Sequence, residues 1–322
     1  MKAFVTGATG FIGGHVARKL RERGDDVVAL VRTPSKATEL AAIGCELITG
    51  DLSDRSVLSR AIEACDSVFH IAAMYKVGIW AEECAAMHEA NVMGTRNVFA
   101  AAVEAGAGRI LYVSTIGYYG NTRGEVVDED FERTDLEWLT CYDETKYLAH
   151  EIARESIAAG APILIAHPGG VYGPNDPSDL GKLIDRIRKG WLKVMVMPGV
   201  GFNFLHVDDA SDGILLVHDK GRIGEAYNLG GELTTLGELI KKVAVLSGHK
   251  PPTKELPVGI IKRSAVPWRV LGPLLGFPPN LKELIAASDD VTYWATDDKA
   301  RSELGYAPRD LAAGLPDVIP RS

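Results

Sequence analysis

The chain has 322 residues, of which 46% are hydrophobic and 24% charged, with a formal net charge of -8 and an isoelectric point near 5.6. That composition supplies a full core for one large or two intimately joined domains and excludes a largely disordered chain. No block of lysine or arginine occurs, which argues against a general nucleic-acid surface and points to small-molecule ligands.

In chain order, Lys2 to Thr6 is a short apolar strand run, followed by Gly7, Gly10 and Gly13 at three-residue spacing and a helical stretch from His15 to Arg23. A strand, a glycine-pitched turn and a helix form a phosphate cradle. The first glycine permits the tight turn, the second lets backbone approach a pyrophosphate, and the third allows close packing of helix on strand. The next strand, Val27 to Val31, ends on Arg32. A free ribose hydroxyl calls for a carboxylate at this tip, whereas a 2′-phosphate calls for a cation. Arg32, with Lys36, Thr33 and Ser35 beside it, therefore favours NADP(H), with NAD(H) as the alternative.

Strand and helix patterns then alternate: strand 46–49, helix 54–64, strand 67–71, helix 87–105, strand 109–114, helix 141–158 and strand 162–167. This predicts an α/β fold with a doubly wound parallel sheet of the Rossmann type. Residues 1–170 read as the dinucleotide-binding domain and 171–322 as a smaller α/β substrate-binding region, introduced by the Gly/Pro-rich run 168–177. Parts of about 200–230 are expected to return to the sheet, and a helix is expected over 235–247. The segment 256–277 is apolar with spaced basic residues, and reads as a cap, a cover over the substrate or a membrane-surface element.

Cys45, Cys65, Cys84 and Cys141 are scattered without a C-x-x-C pair. They suggest neither a metal site nor a disulfide framework, as in a reduced, cytoplasmic chain. The start on a core strand predicts no signal peptide, and no uncharged run reaches membrane-spanning length.

Tyr142 and Lys146 stand four residues apart in a predicted helix, on one face and one turn apart. A cation about 4 Å from a phenol favours the phenolate by roughly 4 kcal/mol at an effective dielectric near 20, or about three pKa units. The pair therefore predicts a tyrosine that titrates close to neutrality and serves as general acid or base. The run Val113-Ser114-Thr115 closes a strand at the sheet edge where ligands bind, and offers a hydroxyl to a substrate oxygen.

These motifs resemble the short-chain dehydrogenase/reductase superfamily in its extended, epimerase/dehydratase branch. The residues that carry the resemblance are Thr-Gly-Ala-Thr-Gly-Phe-Ile-Gly at 6–13, Gly-Asp-Leu at 50–52, His-Ile-Ala-Ala at 70–73 and Asn91 with Gly94-Thr95-Arg96-Asn97. Tyr142 with Lys146, Pro168 with Val171-Tyr172-Gly173-Pro174, and His206-Val207-Asp208-Asp209 complete it. The resemblance implies that Gly7, Thr9, Gly10, Phe11, Ile12 and Gly13 cradle the cofactor. It further implies that Asp51 and Leu52 hold the adenine, that Ala72 and Ala73 line the cleft, and that Pro168 and Val171 meet the nicotinamide end. Tyr142, Lys146 and Thr115, the last chosen over Ser114 by counting back from Gly120, would be catalytic. Asn91 would support their hydrogen-bond network, His70 and His206 would be structural, and a homodimer through the helices around 87–105 and 141–158 is implied.

Departures from the family pattern sort its activities. Ile116 and Gly117 follow Thr115 where dehydratases of this branch carry Asp-Glu, and Phe202 stands where nucleotide-sugar epimerases carry the arginine that binds diphosphate. Trp191, Met195, Met197 and Phe204, with Met74, Tyr75, Trp80 and Tyr119 on facing loops, suggest an apolar or aromatic pocket. The chain is thus similar to dihydroflavonol 4-reductase-like and 3β-hydroxysteroid dehydrogenase-like members. That implies an NADPH-dependent reductase of a ketone or aldehyde. A sugar or sterol epimerase or isomerase, and a non-catalytic NADP(H)-binding redox sensor, are the alternatives.

Overall fold

A computed structural model describes residues 1–256 and 291–319. Most of the segment 256–277 singled out above lies outside them. In chain order the elements are β1 (Lys2–Thr6), α1 (Phe11–Glu22), β2 (Asp26–Val31), α2 (Thr38–Ala42), β3 (Glu46–Thr49), α3 (Arg55–Ile62) and β4 (Ser67–His70). There follow α4 (Ala81–His88), a five-residue π turn (Glu89–Met93), α5 (Gly94–Glu104), β5 (Arg109–Val113), α6 (Cys141–Ala158), β6 (Ile163–Pro168) and β7 (Gly170–Tyr172). The remainder comprises α7 (Asp179–Arg188), β8 (Val194–Val196), β9 (Gly201–His206), α8 (Val207–Lys220), β10 (Ala226–Leu229), β11 (Glu232–Thr235), α9 (Leu236–Leu246), β12 (Lys254–Leu256), α10 (Asp298–Leu304) and α11 (Leu311–Gly314).

Seven parallel strands form the main sheet in the order β10-β6-β5-β4-β1-β2-β3. Strand order reverses between β1 and β4, and the crevice beyond their carboxyl ends is where such sheets take a ligand. One face of the sheet packs α1 and α8 over Val5, Ala29 and Leu111; the other packs α3, α5 and α6 over Phe4, Val68 and Tyr112. Both faces are covered, so β1, β2, β4, β5 and β6 are nearly continuous apolar runs with no polar alternation. A smaller mixed sheet, β11-β9-β7, carries α7, α9 and α11 around a separate core that includes Tyr172, Phe204 and Leu239.

Two expectations are corrected. The single helix 87–105 is instead α4, the π turn and α5, with Asn91 inside the π turn. The expected absence of a disulfide fails as well, because Cys84 of α4 is bonded to Cys141 at the start of α6, while Cys45 and Cys65 are free. Spacing along the chain gave no signal for a bridge that depends on where two helices meet. No helix among the described residues is long and apolar enough to cross a membrane, and these residues contain no His/Cys/Asp/Glu group able to hold a metal.

Candidate active site

A cavity of about 1630 Å³ opens along the carboxyl edge of the sheet and runs from the glycine turn to the small sheet. Gly7 has φ +75°, and a Cβ there would meet the backbone of Ala72 at 2.7 Å; a side chain on Gly13 would collide with the carbonyl of Gly7. Gly13 therefore packs helix to turn and does not line the cavity, whereas Gly7, Thr9, Gly10, Phe11 and Ile12 do. Gly10 caps α1 without a side-chain bond, which leaves the first helix N–H groups facing the cavity. The turn closes this tightly only because Gly7 has no side chain, and the N–H groups it leaves at the cavity suit a pyrophosphate.

Arg32 follows the buried tip of β2, lines the same cavity and makes no ion pair or side-chain hydrogen bond with any described residue. A 2′-phosphate there would gain a charge-assisted partner. Lys36 is exposed in the short 3-10 turn Pro34–Lys36 and lies outside the lining. Asp51, Leu52, Ala72, Ala73, Pro168 and Val171 all face the cavity. His70 and His206 do not: His70 bridges Thr6 (2.8 Å) and Thr95 (2.9 Å), and His206 caps α8.

The start of α6 fixes Tyr142. Thr140 Oγ1 accepts from the Asp143 N–H (2.9 Å), and the buried Arg133 guanidinium holds the Asp143 carboxylate at 2.6 and 3.0 Å. The Tyr75 ring stands edge-on to Tyr142, with centroids 4.7 Å apart. Tyr142, Lys146, Ser114 and Thr115 line the cavity together. Ser114 is buried and bonds His150 Nδ1 (3.1 Å); Thr115 is more open and accepts from the Gly117 N–H (3.1 Å), so its own O–H remains to be donated. Asn91 lies behind the lining, its amide bonded to Met74 and Thr145.

The electrostatics differ from the sequence expectation. Burial pushes the Tyr142 phenol above its ordinary range, with Tyr75, Tyr112 and Asp143 acting in the same direction. The same burial pushes Lys146 down to about 7, and its ammonium turns to the Tyr112 hydroxyl (3.3 Å) and the Val113 carbonyl (3.0 Å). Helical spacing put the two side chains on one face, but it carried no information about desolvation, which is the main cause of both shifts, and Lys146 is not among the causes that act on Tyr142. A phenol held neutral is the form that donates a proton.

Beyond Tyr142 the wall is formed by Leu180 and Leu183 of α7, Met197, Phe202 and Phe204 of the small-sheet side, and Leu236 and Ile240 of α9, with Trp191 at 63% exposure. Met74 and Tyr75 also face the cavity, whereas Met195, Trp80 and Tyr119 do not. Sequence reading missed α7, which Ser178 caps and whose apolar stripe supplies Leu180 and Leu183. A capping serine before leucines at helical spacing was the available signal.

The sequence pattern of the NAD dependent epimerase/dehydratase family matches residues 3–230. The chain is 31% identical to a Synechocystis sp. protein provisionally named dihydroflavonol 4-reductase, covering 98% of this chain and 93% of that one. It is 30% identical to a 4-hydroxy-2-methyl-3-oxo-4-farnesyl-3,4-dihydroquinoline-1-oxide ketoreductase of Stigmatella aurantiaca, over 96% of this chain and 92% of the relative. Among solved structures, gox2253 superposes with a TM-score of 0.84 at 35% identity, covering 98% of this chain and 96% of that one.

Proposed function

The chain belongs to the NAD-dependent epimerase/dehydratase family and is an NAD(P)-dependent enzyme acting on hydroxyl or keto groups; on that premise we propose that it is an NADPH-dependent reductase of a ketone or aldehyde on an apolar or aromatic small molecule. The observation that carries the substrate class is Phe202, which lines the cavity and stacks on Tyr293 with ring centroids 5.6 Å apart. An aromatic ring at that position offers no charge to a sugar diphosphate and suits an apolar body. Arg32, which has no side-chain partner among the described residues, supports the phosphorylated cofactor.

When bound, the reduced dinucleotide supplies the hydride. The chain's own groups do the rest. Gly7, Gly10 and the start of α1 cradle the pyrophosphate, with Asp51 and Leu52 at the adenine and Ala72, Ala73, Pro168 and Val171 along the cleft. Thr115 donates to the carbonyl oxygen and orients it. Tyr142, kept neutral by burial, is placed to give that oxygen its proton. Lys146, one helical turn along, then stabilises the phenolate left behind through its charge. Asn91 keeps the adjoining loop in place.

The test is oxidation of NADPH, followed at its absorbance, against a panel of apolar ketones and aldehydes. Tyr142→Phe is expected to lower turnover by about 10²- to 10⁴-fold with cofactor binding retained; unchanged turnover would reject the assignment. An epimerase reading draws support from the likeness to a nucleoside-diphosphate-sugar epimerase structure from Pseudomonas aeruginosa at 27% identity and a TM-score of 0.78. It would show cofactor retained through purification and no net change in its absorbance.

A further inference from the structure

Lys146 is 3% exposed on α6, and its ammonium donates to two acceptors: the Val113 carbonyl at 3.0 Å and the hydroxyl of Tyr112 at 3.3 Å. Tyr112 belongs to β5, is 1% exposed and has no part in the cavity lining. Its ring is stacked on His70 (5.6 Å) and meets Phe99 edge-on (5.4 Å), so the hydroxyl is carried on a fixed arm. Thr95, the other hydroxyl partner of His70 (2.9 Å), is itself held by the Asn91 carbonyl at 2.6 Å.

We propose that Tyr112 is a positioning residue for the reaction, its hydroxyl holding the Lys146 ammonium charged and aimed along the cleft from behind. The proposal rests on the reductase reading for its kinetic consequence but not for its electrostatic one. The amide expected to support this network, Asn91, is engaged with Met74 and Thr145, and among the described residues the side chain that accepts from Lys146 is Tyr112. The titratable groups around Lys146 are Tyr142 and His150 on its own helix, Tyr112 from β5, His70 from β4 and His167 from β6. Burial pushes all three histidines well below their ordinary range, and the Lys146 charge adds to the effect. They stay neutral, and none of the five groups is a carboxylate. Burial alone pushes Lys146 down to about 7. A neutral oxygen that accepts from the ammonium favours the charged form. Without it the lysine loses its proton at lower pH.

Tyr112→Phe keeps the ring and removes the hydroxyl. In the folded variant, the Lys146 titration followed by NMR of 13C-labelled lysine is expected to move down by about one pH unit, the scale of one charge-assisted hydrogen bond. The alkaline limb of kcat/KM for NADPH-dependent reduction should move down with it, and kcat at pH 8 should fall about tenfold with less change in the KM for NADPH. Tyr112→Met, which fills the same space with a flexible apolar chain, is the second hydroxyl-free variant and is read in the same way. A Lys146 midpoint unmoved in whichever variant folds overturns the proposal, because a residue that only packs the sheet would lower stability and leave that midpoint alone. If the wild-type protein reduces none of the carbonyl compounds, the reductase reading fails while the NMR midpoint still decides the role of Tyr112.

Discussion

Asn91 grips the main chain of Met74 from both sides: the Met74 N–H donates to Asn91 Oδ1 at 2.6 Å, and Asn91 Nδ2 donates to the Met74 carbonyl at 3.0 Å. The next residue, Tyr75, meets Tyr142 edge-on, so the π turn that carries Asn91 sets the loop that borders the proton donor. Turns of this kind inside helices recur at functional sites.

Asn91→Ala removes both bonds and leaves two main-chain groups of Met74 to find other partners. The expected result is a fall of about tenfold in kcat and a loss of stability of about 1–3 kcal/mol, the scale of buried groups left unpaired. Steady-state kinetics and urea unfolding check it. An unaltered kcat would show that the loop keeps its place without this clamp.

How much of this was legible in the chain depends on whether the cause is local. Helix α6 has the ends expected from the sequence, with Thr140 capping it locally, and the glycine turn was legible because its spacing between a strand and a helix is itself local, although Gly7 meets Ala72 from β4's end. The π turn was not, since helical periodicity over 87–105 does not reveal that Asn91 reaches across to Met74. Nor was the direction of the Tyr142 and Lys146 shifts. Spacing at i and i+4 fixes a shared face, whereas burial depends on Tyr112, Tyr75 and the strands brought up from elsewhere in the chain. Tyr112 itself reads as one more aromatic residue of a buried strand.

Cofactor choice is tested at Arg32. Its exposed guanidinium lines the cavity at the end of β2. Arg32→Ala is expected to lower kcat/KM for NADPH by about 10- to 100-fold, the range for a lost charge-assisted bond, and to leave the value for NADH within about twofold. Equal efficiencies of the two cofactors in the wild-type enzyme would remove the assignment.

The Cys84–Cys141 bridge joins residues 57 apart in sequence and ties α4 to the residue before Tyr142. Closing a loop of that length removes up to about 4 kcal/mol of unfolded-state entropy. Urea-unfolded protein should therefore expose two reactive thiols, Cys45 and Cys65, and four after reduction. The count belongs in denaturant, because burial pushes both free thiols up, Cys65 to about 11. Reduction should lower the urea midpoint. Four thiols in the oxidised protein would mean that the bridge is absent.

Three of the buried histidines, those packed around Lys146, contribute strongly to the acid side of stability. Burial is the main cause in each case: His70 is pushed down to about 3, His167 to about 4, and His150 well below its ordinary value. In the unfolded chain each takes up a proton near pH 6.5. The stability they contribute is therefore complete above pH 6.5 and is lost as pH falls toward the folded values. The slope approaches about 1.4 kcal/mol per pH unit for each histidine, or roughly 4 for the three together. Lys146, pushed down to about 7, acts with the same sign at higher pH, since its unfolded form holds a proton that the folded form releases. Urea unfolding between pH 7 and 5, above the range where most carboxylates titrate, should show this fall, and His167→Gln should reduce its slope by about one proton's worth. Stability that stays level over that interval would mean that these rings accept protons without leaving the core.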